Sequence, residues 1–348
     1  PRRRRSAAGG VAERGGAVTQ GGAQGAPPEL VIDGACPLAR DPAELRRYRE
    51  GGVTVCMPTV GGRDGARETL ATLARIHHAL RTRDDLLLVR GPADVRAAQR
   101  SGRLGLLFHL QGGDPFERDV GLVEGFRALG VRMVQLCYNV RNRIGDGCEE
   151  PADGGLSSFG IAVVRALNEA GMIVDCAHTG ERTTHDAIER SRTPVVCSHG
   201  NPRAVHPSAR NLTDELIRAI AGNGGLIGAV GFPGFVSASP RPSIDQFIDH
   251  IAYLADFVGV QHVALGLDYF AGQDGIAVPD EAARLYRSFV SSGDWDTTTY
   301  PPPPWCYPEG IETPERLRAL APALARRGFT PDEVRAIMGG NWLRVIDA

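Results

Sequence analysis

The run Met172-Ile173-Val174-Asp175-Cys176-Ala177-His178 is answered 21 residues later, histidine to histidine, by Pro194-Val195-Val196-Cys197-Ser198-His199. Each is a short apolar stretch, without polar alternation, that ends in an imidazole. Stretches of this kind suit strands of a parallel sheet covered on both faces, because no side of them is written for water. The interval is one strand–helix unit. Working outward, similar runs occur at Leu30–Ala35, Val53–Val60, Leu86–Val89, Leu104–Leu110, Val131–Tyr138, Leu226–Phe235 and Val263–Phe270. Helical patterns fill the gaps, among them Arg67–Arg81, Phe159–Ala170, Thr213–Asn223 and Ile244–Phe257. Nine runs alternating with helices predict an eight-stranded (β/α) barrel, the TIM-barrel architecture, with one spare segment.

Composition narrows the function. Of 348 residues, 42% are hydrophobic and 23% charged, enough for a large core and too apolar for a disordered chain. A net charge of −2 argues against a nucleic-acid or anionic-membrane partner and leaves a small-molecule substrate. All 39 basic residues are Arg. The lack of Lys excludes a Schiff-base lysine, a pyridoxal phosphate anchor, a P-loop lysine and a carbamylated-lysine metal bridge. Seven Cys without a CxxC pair read as small core residues rather than a disulfide framework. No apolar run reaches the roughly 18 residues of a membrane span. Residues 1–28, rich in Gly, Ala and Arg, read as a disordered tail, and 29–348 as one barrel domain. Arg2–Arg5 is not followed by the apolar segment of an export signal, so a cytoplasmic location is the default. Toward the C-terminus, Thr313-Pro314-Glu315 and Thr330-Pro331-Asp332-Glu333 each predict a capped helix start. Ser291–Gly310, with Pro301–Pro304 and four aromatics, reads as a long loop where a lid would sit.

In such a barrel the chemistry lies at the C-terminal ends of the strands. Those ends read His109-Leu110-Gln111, Tyr138-Asn139, Asp175-Cys176-Ala177-His178, Ser198-His199 and Asp268. Neighbouring strands lie about 4.8 Å apart, so His178 and His199 can meet at one cation, with zinc the default for imidazole plus an oxygen donor. The competing reading is that each histidine bonds a neighbouring backbone group. Asp268 closes the apolar run Val263–Leu267, where a carboxylate is costly unless it binds or reacts. It is read as a metal ligand or as a general base, against a simple helix cap. Arg210 precedes a helix and is read as a clamp on a substrate carboxylate, against a surface ion pair. His109 and Gln111, two apart on one strand, share a face. The remaining histidines receive no role.

These motifs resemble the membrane (renal) dipeptidase family of amidohydrolase-like, metal-dependent barrels. The resemblance runs from about residue 30 to the C-terminus. It rests on Ala128-Leu-Gly-Val-Arg132, Gly155-Leu-Ser-Ser-Phe-Gly160, Leu167–His178, Cys197-Ser-His199, Arg210-Asn-Leu-Thr-Asp214, Gly266-Leu-Asp268 and Gly339-Gly-Asn-Trp-Leu-Arg344. It implies a (β/α)8 barrel in which zinc activates a water against the peptide bond of a dipeptide. His178 and His199 match the two histidines of one of two zinc ions, Arg210 the arginine at the substrate carboxylate, and Asp268 the late-strand aspartate at the metals. The family commonly pairs its barrels, which implies a homodimer. The departures fall together. Where the family carries Asp-Gly-His-x-Asp this chain reads Asp33-Gly34-Ala35-Cys36-Pro37, the bridging Glu is Gln111, and a substrate-contacting His is Tyr138. The chain is also similar to a divergent subgroup carrying Gly145-Asp-Gly-Cys-Glu-Glu150.

The expectation is therefore one zinc ion on His178 and His199, with Gln111, His109 or Asp268 completing its shell. Asp268 then acts as base, Tyr138 as a donor to the oxyanion and Arg210 as the carboxylate clamp. Two other readings stay open. One is a tailoring enzyme that uses Tyr138, His178 and Asp268 for non-hydrolytic acid–base chemistry, with Cys36 or Cys148 available for thiol chemistry. The other is an inactive barrel that only binds its ligand.

Overall fold

Every one of the nine apolar runs contains a strand, and eight of them close a barrel. The computed structural model describes residues 29–348, so the tail expected at 1–28 lies outside the described residues. The strands are β1 (Ile32–Cys36), β2 (Val55–Gly61), β3 (Leu86–Leu88), β4 (Leu104–Leu106), β5 (Phe108–Gln111), β6 (Val131–Gln135), β7 (Ile173–Asp175), β8 (Val195–Val196), β9 (Ile227–Ala229) and β10 (Val263–Leu265). Their order is β8-β7-β6-β5-β2-β1-β10-β9, all parallel. A bridge from Cys197 to Ile227 completes the ring, with Gly228 N–H donating to Cys197 O at 2.8 Å. β4 and β5 form one stave interrupted at Leu107, both pairing with β2. The spare run is β3, which pairs only with the lower half-stave β4.

The lower barrel is filled by Ile32, Val55, Met57, Met133, Val196, Leu226, Ala264 and the C-terminal Trp342. Trp342 enters because β1 carries glycine there: a Cβ on Gly34 would sit 2.1 Å from the indole. The indole N–H donates to Leu265 O at 2.8 Å, so its one polar atom is satisfied in the core. Helices at Ala66–Thr82, Ser158–Glu169, Asp214–Gly222 and Ile244–Val258 lie within a residue or two of expectation. Ser157, Thr213 and Ser243 cap the last three. Thr330 and Glu333 form the expected capping box. Thr313 does not cap: it opens a 3-10 stretch, Pro314–Ala319, with no side-chain cap bond.

Several strands stop before their apolar runs end. β7 ends at Asp175, yet Cys176 and Ala177 remain buried; β10 ends at Leu265, yet Leu267 is fully buried. Past those points carboxylates take over from the ladder. Ala177 N–H and Ser198 N–H donate to Asp175, and Leu267 N–H donates to Asp33. The chain is thus freed from strand geometry where the polar side chains begin, while its backbone groups stay paired.

Candidate active site

The two histidines that decided the fold face each other. His178 Nε2 lies 2.7 Å from His199 Nε2. The hydrogen bonds behind each ring fix its tautomer. Asn139 donates its amide N–H to Asp294 O at 2.8 Å, so its Oδ1 accepts, and the His178 Nδ1–H donates to it at 2.6 Å. Ser198 Oγ–H donates to Asp175 at 2.6 Å, so the His199 Nδ1–H donates to Ser198 Oγ at 2.8 Å. Burial, and then the positive charge of Arg210, holds both imidazoles well below the ordinary histidine range. Both rings are neutral at pH 7, and each turns a bare Nε2 lone pair on the other. Two lone pairs at that separation repel, and a cation between them removes the conflict. Two inward-facing imidazole nitrogens are a donor set suited to zinc, which the rings would admit by moving slightly apart.

Asp175 anchors this pair. It accepts from Ala177 N, Ser198 N, Ser198 Oγ and His109 Nε2, all within 3.0 Å. Burial pushes its carboxyl up, but the His109 hydrogen bond and the neighbouring donors outweigh it and hold the group below the usual range. His109 is fully buried and serves Asp175 rather than facing the imidazole pair.

Asp268 and Gln111 form a second pair: Gln111 Nε2 donates to Asp268 Oδ1 at 3.4 Å. Among the described residues, no three His, Cys, Asp or Glu side chains converge as a ligand set. The four-residue set His178, His199, Gln111 and Asp268 therefore stands here as two pairs, the facing imidazoles and the hydrogen-bonded Gln111 and Asp268. Burial pushes the Asp268 carboxyl up to about 7, against the pull of Arg210 and Gln111 and with help from Asp33. A carboxyl titrating there suits proton transfer at neutral pH. Asp268 (φ 59°) and His178 (φ 64°) are both in the left-handed region, which costs a non-glycine residue about 1 kcal/mol or more. Tyr307 O–H on Asp268 O, and Cys148 N–H on His178 O at 2.8 Å, hold these conformations.

Tyr138 stacks on His178, ring centres 4.1 Å apart. Its oxygen accepts from Trp295 Nε1 at 3.1 Å, and its own proton has no acceptor among the described residues. Burial pushes the phenol up to about 12, so it stays protonated. Arg210 is 3% exposed, with Nη2 on His199 O at 3.4 Å and Nε without a partner. It is a buried cation with no carboxylate contact among the described residues. Arg210 and His178 line a cavity of about 720 Å³, together with Cys148, Glu150, Arg203 and Thr299. Cys148 is pushed up to about 11 by burial, and Cys36 is fully buried and raised well above the usual thiol range, so neither is a thiolate near pH 7. The end of β1 carries no imidazole or carboxylate at Ala35, Cys36 or Pro37.

Asn139, Asp175 and Ser198 lay inside the quoted strand ends but received no role from the sequence. The available signal was a polar residue within a stretch too apolar to reach water, which must find a buried partner. Asp33 belongs to the same class: it accepts Leu267 N–H at 2.8 Å and its other oxygen has no partner. Trp295, Tyr300 and Tyr307 come from the aromatic loop after Ser291. Trp295 stacks between Phe289 and Tyr300 at 4.2 and 4.4 Å.

A parallel barrel with facing imidazoles and a carboxyl on its C-terminal rim is the architecture of the amidohydrolase-like enzymes. Within that class the chain belongs to the membrane dipeptidase family, peptidase family M19, whose model matches residues 56–296. Dipeptidase verJ of Clonostachys rogersoniana is 27% identical over 288 residues, covering 82% of this chain and 66% of that protein. The chain thus spans just under two thirds of that relative's length. An amidohydrolase from Pseudomonas aeruginosa, 31% identical, superposes with a TM-score of 0.84 over 91% of this chain and 95% of its own. A metallo peptidase from Rhodobacter sphaeroides, liganded with a phosphinate mimic of the dipeptide L-Ala-D-Ala, shares the fold at 21% identity, with a TM-score of 0.74 over 91% and 98% of the two chains. No helix among the described residues is long and apolar enough to cross a membrane.

Proposed function

We propose that this protein hydrolyses a dipeptide or small amide at a site holding a single metal ion. The observation that carries the proposal is the 2.7 Å approach of two neutral imidazole nitrogens, beside a buried arginine with no carboxylate contact. His178 and His199 would hold the zinc, and the chemistry it would supply is a bound water of lowered pKa. Arg210 brings donors and full charge to the substrate carboxylate, which repays the cost of burying a lone guanidinium. Tyr138 donates its free proton to the carbonyl oxygen as negative charge builds on it, and its raised pKa keeps that proton available. Asp268 takes the proton of the attacking water and returns it to the departing amine. Gln111 holds the Asp268 carboxylate in place. Asn139 and the Ser198–Asp175 pair keep both Nε2 lone pairs turned inward.

The test is a panel of dipeptides offered to zinc-loaded wild type and to His199→Ala. The wild type should cleave members of the panel, and the variant should lose at least a thousandfold in kcat/KM. Equal turnover by the two would end the proposal.

A further inference from the structure

The rim holds a second, smaller cavity of about 170 Å³, whose wall includes Pro37, Arg40, Thr59, Arg63, Gln111 and Tyr138. Tyr138 separates it from the large one: the ring lines the small cavity and stacks on His178, which lines the other. Tyr138 and Gln111 belong to the mechanism above, whereas Arg40, Thr59 and Arg63 have no part in it.

Its polar groups are mainly donors. Thr59 is 8% exposed and its hydroxyl has no partner. The Arg63 guanidinium lies 5.2 Å from the ring centre of Tyr138 and 4.5 Å from that of Phe289. It is ion-paired with Asp294 through Nη2 at 2.9 Å, which leaves its other N–H donors for a ligand. Arg40 and Asp64 neutralise each other at 2.6 Å, so the acid in the wall does not repel an anion. Two aromatic faces fix the plane of Arg63, and a planar guanidinium held this way is pre-organised for a carboxylate. A buried hydroxyl without a partner completes the call for an oxygen ligand.

We infer that the small cavity is a carboxylate subsite, and that the substrate carries a second negative group on the residue preceding the scissile bond. The inference rests on the proposed hydrolysis for its orientation. Arg210 holds the terminal carboxylate in the large cavity, and Arg63 with Thr59 holds an acidic side chain beyond Tyr138. The favoured substrates are then dipeptides opening with Glu or Asp.

The experiment compares L-Glu-L-Ala with its near-isosteric amide L-Gln-L-Ala. Wild type should favour the Glu compound by about tenfold or more in kcat/KM, the scale of a charge-assisted hydrogen bond. Arg63→Gln should bring that ratio close to one, and Thr59→Val should lower it severalfold. A ratio taken within one preparation cancels any general loss of activity. A wild-type ratio near one, or a ratio untouched by Arg63→Gln, overturns the subsite. If neither compound is cleaved, the dipeptide panel judges the hydrolysis separately, and calorimetric Kd values for the same two dipeptides decide the subsite. Tenfold tighter binding of the Glu compound, lost in Arg63→Gln, supports it; equal affinities, or no binding, overturn it.

Discussion

The rim of this barrel is built in two unequal halves. Along β5 to β8, two buried chains of hydrogen bonds, Asn139–His178 and His109–Asp175–Ser198–His199, fix two ring tautomers and meet where the imidazoles face each other. Along β1 and β2, the strand end offers Ala35, Cys36 and Pro37 and ends in a small cavity walled by two arginines, each paired with an aspartate. Position at a strand's C-terminal end is therefore not enough to make a ligand. What the His178–His199 half has and the other half lacks is a second residue behind each rim residue that holds its lone pair inward.

The contrast can be broken most sharply at Tyr138, on the border between the halves. Tyr138→Phe keeps the stacking on His178 and removes the phenol proton. It should cost about a hundred- to a thousandfold in kcat with little change in KM, the scale for one oxyanion donor. A KM effect alone would make Tyr138 a binding residue.

A paired comparison sharpens the account. Asp175→Asn leaves Ser198 and His109 poorly partnered and should weaken zinc binding by about ten- to a hundredfold, read by chelator competition. Cys36→Ala, in the other half, should leave zinc affinity within about twofold. Equal effects from the two variants would erase the distinction between the halves.

The smallest expected effect lies in pH dependence at Asp33, beneath the unbacked half. Burial pushes its carboxyl up to about 7, against the backbone donors of Leu267 and Ala35. An unfolded Asp titrates near 3.9, so between about pH 4 and 7 the folded chain binds a proton that the unfolded chain has released. Stability then falls as pH rises through that window, by at most ~1.4 kcal/mol per pH unit from this group. Asp33→Asn keeps an acceptor for Leu267 N–H and should flatten the slope in denaturation series. Asp268, raised in the same way, leaves part of the slope behind. An unchanged slope in Asp33→Asn would show that its carboxyl is not protonated in the folded chain.

The sequence shows the barrel because apolar runs at strand–helix spacing report burial on both faces, whatever the loops do. It overstates strand lengths for the same reason: Leu267 and Ala177 are as buried as the strands before them, but their N–H groups bond to Asp33 and Asp175. It points to His178 and His199 because two imidazoles close consecutive apolar runs one strand–helix unit apart, where a single one would more often bond a backbone group. It does not show the Nε2 contact, which depends on Asn139, a residue 39 positions from its histidine. Nor does it show that Arg63 lies across Tyr138, because that contact is made between loops and leaves no periodic trace.

The claim on which the account stands is that one half of the rim binds one metal ion through His178 and His199. Elemental analysis of zinc-loaded, desalted protein tests it most directly. The account predicts about one zinc per chain, falling to near zero in His199→Ala. Two per chain, or one that survives in His199→Ala, would contradict it.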